Sequence, residues 1–163
     1  IVEARAGKPI QPKRWSDIVT ITAAYGQGIA ASPMNLAMGY AAIANGGVTV
    51  RPTLLKGGTG EPGVRVISEA NAAEAVSMLR SVVLEGTASL GDVQGYEVAG
   101  KTGTADKPKP GGGYYTDRVV NTFASVFPAS DPKYVLIVTL DEPVETSGPK
   151  PRRTAGWTSV PVA

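Results

Sequence analysis

The stretch Gly95-Tyr-Glu-Val-Ala-Gly100-Lys101-Thr102-Gly103-Thr104-Ala105 decides how this chain is read, because two different folds compete for it. Its first eight residues fit G-x-x-x-x-G-K-[ST], the phosphate-binding loop of nucleotide hydrolases. A second half of that motif is even on offer: Tyr134–Leu140 runs into Asp141-Glu142, in the manner of a strand-end acid that holds magnesium. Such a loop needs a strand before it, a Gly-rich turn, and a helix after the lysine whose first amides face the anion. None of the three is in place. The middle residues Tyr-Glu-Val-Ala suit a strand rather than a turn, and Gly86–Gln94 upstream reads as loop. Downstream, Gly-Thr-Ala-Asp-Lys-Pro-Lys-Pro-Gly-Gly-Gly forbids a helix within a few residues. Tyr96–Thr104 is therefore predicted to be a strand with Lys101-Thr102-Gly103-Thr104 on it, and the P-loop NTPase is kept as a remote alternative.

Further along the chain, Thr122–Phe127 and Tyr134–Leu140 read as two more strands, and Asp131-Pro132 turns the chain between them into an antiparallel hairpin. Lys107–Gly113 is predicted to be a mobile loop joining the first two strands. Upstream, Ser32-Pro33 is a helix start, with a capping serine and proline at the first helical position. The helix closes at Gly46-Gly47, where glycine takes a left-handed cap. Its residues Met34, Leu36, Ala37, Met38, Tyr40, Ala41, Ile43 and Ala44 are apolar nearly all round, so it is predicted to be buried. A short extended piece follows at Val48–Pro52. A second helix is capped by Ser68, carries Glu69 in its first turn and stops at Gly86. Its stripe is Ala72, Ala75, Val76, Leu79, Val82 and Val83. Residues 1–15 read as loop, and the end of the chain as an irregular Pro-rich tail. The predicted class is α/β, with two main helices followed by a three-strand antiparallel meander.

Composition narrows the chemistry. The chain has 163 residues, enough for one core, and its sixteen basic and fourteen acidic residues leave a net charge of +2. That charge is spread out, so no nucleic-acid partner is expected. Charged residues are 18% and apolar types 42%, which excludes general disorder. There is no cysteine and no histidine. Disulfides, thiol catalysis and Ser-His-Asp chemistry are excluded from these residues, and acid–base work falls to Lys, carboxylates or Tyr. No metal or other cofactor is expected. No apolar run approaches the ~20 residues of a membrane span, so any anchor lies outside this chain.

Ser-x-x-Lys, the nucleophile motif of penicillin-recognising enzymes, occurs twice, at Ser130–Lys133 and Ser147–Lys150. That chemistry places both residues one turn apart at a buried helix start, where a neutral lysine takes the serine proton. Both occurrences sit in polar turns with no apolar helix after them, so both are read as solvated turns.

Several further blocks come in a recognisable order. They are Ala24-Tyr-Gly-Gln-Gly-Ile29, Ser32-Pro-Met-Asn-Leu36, Ala44-Asn-Gly-Gly47, Glu85-Gly-Thr-Ala88, the Gly95–Ala105 stretch, and Thr122–Tyr134 (TFASVFPASDPKY). Together they resemble the C-terminal part of the transpeptidase domain of class B penicillin-binding proteins, in the flavour of the division-specific branch. The resemblance covers residues 15–163.

The resemblance implies a β-lactamase/transpeptidase-like fold, residues 1–163 being part of one such domain. It implies that Lys101, Thr102, Gly103 and Thr104 line a cleft that binds the D-Ala-D-Ala end of a peptidoglycan stem peptide, or a β-lactam. Lys101 would supply charge, and the hydroxyls of Thr102 and Thr104 would join it on the ligand carboxylate. Gly103 would leave room for the peptide to lie along the strand. The backbone N–H of Thr104 would be one half of an oxyanion hole, such a donor lowering a barrier by on the order of 3 kcal/mol. The family's own S-x-x-K and S-x-N residues would precede Ile1, and its last helix would follow Ala163. The implied setting is the periplasmic side of the inner membrane, among divisome membrane proteins. A non-catalytic binding or β-lactam sensor module on the same fold is the alternative. The resemblance assigns no role to Tyr114, Tyr115 or Arg118.

Overall fold

The computed structural model describes residues 9–54, 56 and 62–163. The chain divides into two units, Ile1–Leu36 and Ala37–Ala163.

In the first unit, helix α1 spans Asp17–Ala24, and an antiparallel bridge joins Ile10 to Ala30. The sequence reading assigned no helix here. Val19, Thr20, Ile21 and Thr22 are β-branched, which lowers helix propensity, and no residue of α1 is buried. The start of helix α2 (Pro33–Ala44) is as expected. The Ser32 hydroxyl accepts from the Asn35 amide at 3.2 Å, and the Asn35 side-chain oxygen accepts from the Ser32 amide at 3.2 Å. This is a reciprocal capping box with asparagine in the third helical position.

In the second unit, α2 closes on Gly46 and Gly47, both left-handed (φ +62° and +89°), with the Gly47 amide bonded to Ala42 O at 2.8 Å. Burial of α2 is far less complete than its composition predicts. Ala42 alone is buried, while Met34 and Met38 stay 46% and 36% exposed. Composition states that a helix can be covered, not which side is. Helix α3 (Glu69–Glu85) follows its reading closely. Ser68 accepts from the Asn71 amide at 3.1 Å, and Ala72, Val76 and Val83 of the expected stripe are buried.

Strands β1 (Ala99–Pro108), β2 (Tyr114–Phe127) and β3 (Tyr134–Asp141) form one antiparallel sheet in the order β1-β2-β3. Register is fixed by pairs such as Ala99 with Val126, Lys101 with Ala124 and Gly103 with Thr122. Phe123 and Val126 are three residues apart on β2 and so face opposite sides of the sheet. Helix α3 supplies a valine to each side. Val83 joins Ala88, Phe123 and Val160, while Val76 joins Ala99 and Val126, with Tyr40, Ile43 and Leu79 packed against them. The central strand is thus gripped on both faces, and β1 is left at the edge.

Two boundaries differ from the sequence reading. β1 begins at Ala99 rather than Tyr96, because Gly95 and Glu97 both have positive φ (+88° and +48°). Glu97 serves the β2–β3 turn instead: its carbonyl accepts from the Ala129 amide at 2.9 Å, and its carboxylate accepts from the amide and hydroxyl of Ser130. The expected mobile loop at 107–113 is also shorter. Lys107 and Pro108 belong to β1, the turn closes through Lys109 N–H to Gly113 O at 2.9 Å, and β2 starts at Tyr114 rather than Thr122. Most of this hairpin extension is exposed, so its strands carry no apolar alternation to read.

Candidate active site on the edge strand

The phosphate-loop reading fails on the backbone. Gly100, Lys101 and Thr102 are in a strand, and no helix follows them before β2. Both Ser-x-x-Lys stretches lie in bends, as read. The Ser130 hydroxyl donates to Glu97, Lys133 pairs with Asp131 at 2.7 Å, and Ser147 N–H donates to Glu145.

Lys101-Thr102-Gly103-Thr104 occupies the middle of β1, the outer strand of the sheet. Side chains alternate along it, which places Lys101 and Gly103 on one face and Thr102 and Thr104 on the other. Lys101 is exposed and curls so that Nζ donates to the Thr102 carbonyl at 2.8 Å. Among the described residues, a Cβ at Gly103 would meet only the Thr122 carbonyl oxygen, 3.9 Å away. The strand thus brings a cation, a bare backbone and two hydroxyls within four residues of an open edge.

The two hydroxyls are already engaged from behind. Thr102 Oγ1 lies 2.6 Å from Thr87 Oγ1, and Thr104 Oγ1 accepts from the Ala155 amide at 3.0 Å. Thr87 sits just after α3, and Ala155 opens the 3-10 turn Ala155–Trp157. These two turns press on each other: a Cβ at Gly156 would come 2.5 Å from the Thr87 carbonyl oxygen. The chain end is held in place by buried Asn121 of β2, whose amide donates to Arg153 O and Thr158 Oγ1, both at 2.6 Å. Arg80 of α3 fixes the entry to β1, donating to Val98 O at 2.7 Å and to Asp92 at 2.8 Å. Sequence reasoning singled out the Glu85–Ala88 block without a role for Thr87, and it missed Ala155 and Gly156. Their signal was small residues in loops, which is also what ordinary turns look like.

The far end of β1 is a separate electrostatic unit. Lys107 Nζ contacts Asp141 at 2.7 Å and Glu142 at 2.8 Å, and Arg118 reaches Glu142 at 3.4 Å. Hydrogen bonding from Lys107 holds the Glu142 carboxyl below its usual range, and the bonds to Asp141 and Glu142 raise Lys107. Tyr115 is flanked by cations, Lys109 Nζ lying 5.4 Å and Arg118 Cζ 4.5 Å from its ring centre. Tyr114 is 63% exposed. Tyr115 and Arg118 are therefore organised around Glu142 and one another.

Comparison with known proteins gives a consistent result. Residues 2–156 match the family described as penicillin binding protein transpeptidase domain. The peptidoglycan D,D-transpeptidase FtsI of Escherichia coli K12 is 37% identical over 88% of this chain and 24% of its own length. The transpeptidase domain of Burkholderia pseudomallei penicillin-binding protein 3 superposes with a TM-score of 0.80 at 38% identity, covering 94% of this chain and 46% of that one. Penicillin-binding protein 3 of Mycobacterium tuberculosis, solved with ampicillin, superposes with a TM-score of 0.75 at 32% identity, covering 94% of this chain and 37% of that one. The chain spans about a quarter of the length of the curated relatives it matches. With the edge strand, the meander and the order of its motifs all in agreement, the chain belongs to the penicillin-binding protein transpeptidase family.

Proposed function

We propose that this chain is the Lys-Thr-Gly wall of a peptidoglycan D,D-transpeptidase, part of a domain whose serine nucleophile is carried by another segment of the protein. The observation that carries the reading is Lys101-Thr102-Gly103-Thr104 on an exposed edge strand where, among the described residues, nothing comes closer to a Cβ at Gly103 than the Thr122 carbonyl oxygen at 3.9 Å. An extended peptide ending in a carboxylate adds to such an edge as a further strand, with backbone pairing for affinity and a cation for its terminus. Lys101, whose Nζ curls back to the Thr102 carbonyl, supplies the cation for that carboxylate, Thr102 and Thr104 donate to it from the other face of the strand, and Gly103 admits the peptide backbone. The Thr104 N–H stabilises the oxyanion while the serine ester forms and again while it is passed to an acceptor amine. The D-Ala-D-Ala end of a stem peptide is the donor, and β-lactams acylate the same serine in its place.

The resemblance to division-specific relatives supports septal cell-wall synthesis, on the periplasmic side of the inner membrane and with divisome membrane proteins as partners. Among the described residues no helix is long and apolar enough to cross a membrane. The second reading, a binding or sensor module, shares the strand and differs in turnover.

Labelling of the intact protein with a fluorescent penicillin tests the proposal. The wild type is acylated, and Lys101→Ala lowers the acylation rate about 100-fold, the loss of one charge-assisted contact of ~2–3 kcal/mol, at an unchanged melting temperature. The 163-residue chain by itself is not labelled. Labelling at any serine of this chain, or unfolding of the Lys101→Ala variant, removes the assignment. Release of cross-linked product from stem peptides separates the enzyme from the sensor.

A further inference from the structure

We infer that Thr87, in the turn after α3, is a positioning residue that turns the Thr102 hydroxyl toward a bound carboxylate; this rests on the transpeptidase reading above. A threonine hydroxyl has one proton to donate and two lone pairs with which to accept. Thr102 and Thr87 share a 2.6 Å contact that uses one of their two protons. When Thr102 gives its single proton to an anion, it has none left for Thr87. The contact then survives only with Thr87 as the donor. Thr87 thus becomes the first member of a chain, Thr87 to Thr102 to carboxylate, in which each bond polarises the next.

Thr104 is prepared in a parallel way. Its oxygen accepts from the Ala155 amide at 3.0 Å, so that lone pair is occupied and the hydroxyl proton is kept for another acceptor. The two preparations share one support. Gly156 follows Ala155 and abuts the Thr87 carbonyl so closely that a Cβ there would sit 2.5 Å from it. The turn carrying Thr87 and the turn carrying the Ala155 amide are therefore locked to each other, and the two hydroxyls are aimed as a pair. Thr87 is itself exposed and belongs to neither core cluster, so its side chain is available for this role without carrying packing.

The experiment uses the intact protein and two probes, benzylpenicillin and its methyl ester, in which a methyl group removes the charge of the carboxylate. Second-order acylation rates are measured for wild type, Thr87→Val and Thr87→Ser by competition against a fluorescent penicillin. Valine keeps the shape of threonine and removes the donor, and serine restores it. The expected result is that Thr87→Val lowers the acid-to-ester rate ratio about tenfold, with the ester rate within about twofold of wild type, and that Thr87→Ser returns the ratio to the wild-type value. A Thr87→Val ratio equal to wild type overturns the inference, whether or not both rates have fallen together. So does a Thr87→Ser protein that behaves like Thr87→Val. A wild type that neither probe acylates overturns the transpeptidase reading and this inference with it, whereas an active wild type with an unmoved ratio overturns the inference alone.

Discussion

At Gly100 a Cβ would lie 2.7 Å from both the Ala124 carbonyl oxygen and the Phe123 ring, whereas at Gly103 the nearest atom, the Thr122 carbonyl oxygen, is 3.9 Å away. The two glycines are three residues apart on one strand and face opposite sides of it. Gly100 lies under the ring of Phe123, which is 1% exposed and packs with Val83, Ala88 and Val160. There the absence of a side chain is a condition of folding. Nothing in the described chain requires the same absence at Gly103, where it accords with a ligand that the chain does not contain. The four residues from Gly100 to Gly103 thus join a packed end to an open one, and an identical residue type means different things at the two ends.

Substitution at the packed end has the largest expected effect. Gly100→Ala overpacks the Phe123 side and lowers stability by about 1–3 kcal/mol, read from chemical denaturation of the intact protein. A variant as stable as wild type would erase the distinction between the two glycines. Gly103→Ala comes next: stability stays within about 0.5 kcal/mol of wild type, while penicillin acylation falls as the added methyl meets the ligand backbone. Loss of stability in that variant would show that the open face is open only in the described part of the protein.

The smallest effect belongs to the distal hairpin, where exposed ions rather than packing hold β1 to the end of β3. The Glu142 carboxyl is held below its ordinary value of 4.5, first by the Lys107 hydrogen bond. Its contribution to stability is complete above pH 4.5 and is lost as pH falls through the depressed value. Lys107 is held above 10.5, so its contribution is complete below that pH and is lost as pH rises through the raised value. The difference in melting temperature between wild type and Glu142→Gln is therefore present at neutral pH and closes in acid. It also narrows in high salt. A gap independent of pH would mean that Glu142 acts through hydrogen bonds the neutral amide cannot make rather than through its charge.

What could be read from sequence follows the same division between packing and opening. Helix α3 was legible to its cap and its stripe, because Ser68, Ala72, Val76 and Val83 each answer to a local rule. The meander was legible because β2 and β3 are apolar where they are gripped. Helix α1 and the exposed ladder from Lys107 were not, because nothing buried imposes a period on them. The strand carrying Lys101 to Thr104 was identified by excluding a phosphate loop, and its meaning came from motif order. The partners of its hydroxyls stayed hidden, since Thr87 and Ala155 are fifteen and fifty-one residues away from the threonines they meet. Contacts across such distances are set by tertiary structure alone.

An edge strand that is open to one extended peptide is open to others, and a second copy of this chain is the one always present. β1 therefore carries an aggregation hazard that a central strand lacks. Its sequence answers with charge: Lys101, Asp106 and Lys107 interrupt what would otherwise be a neutral run of Gly, Thr and Ala. Of these, Lys107 is neutralised by its acidic partners, which leaves Lys101 and Asp106 as exposed charges along the strand. Lys101 would then serve solubility as well as recognition, deterring uncharged strands by the cost of covering its ammonium and admitting an extended chain that brings its own anion.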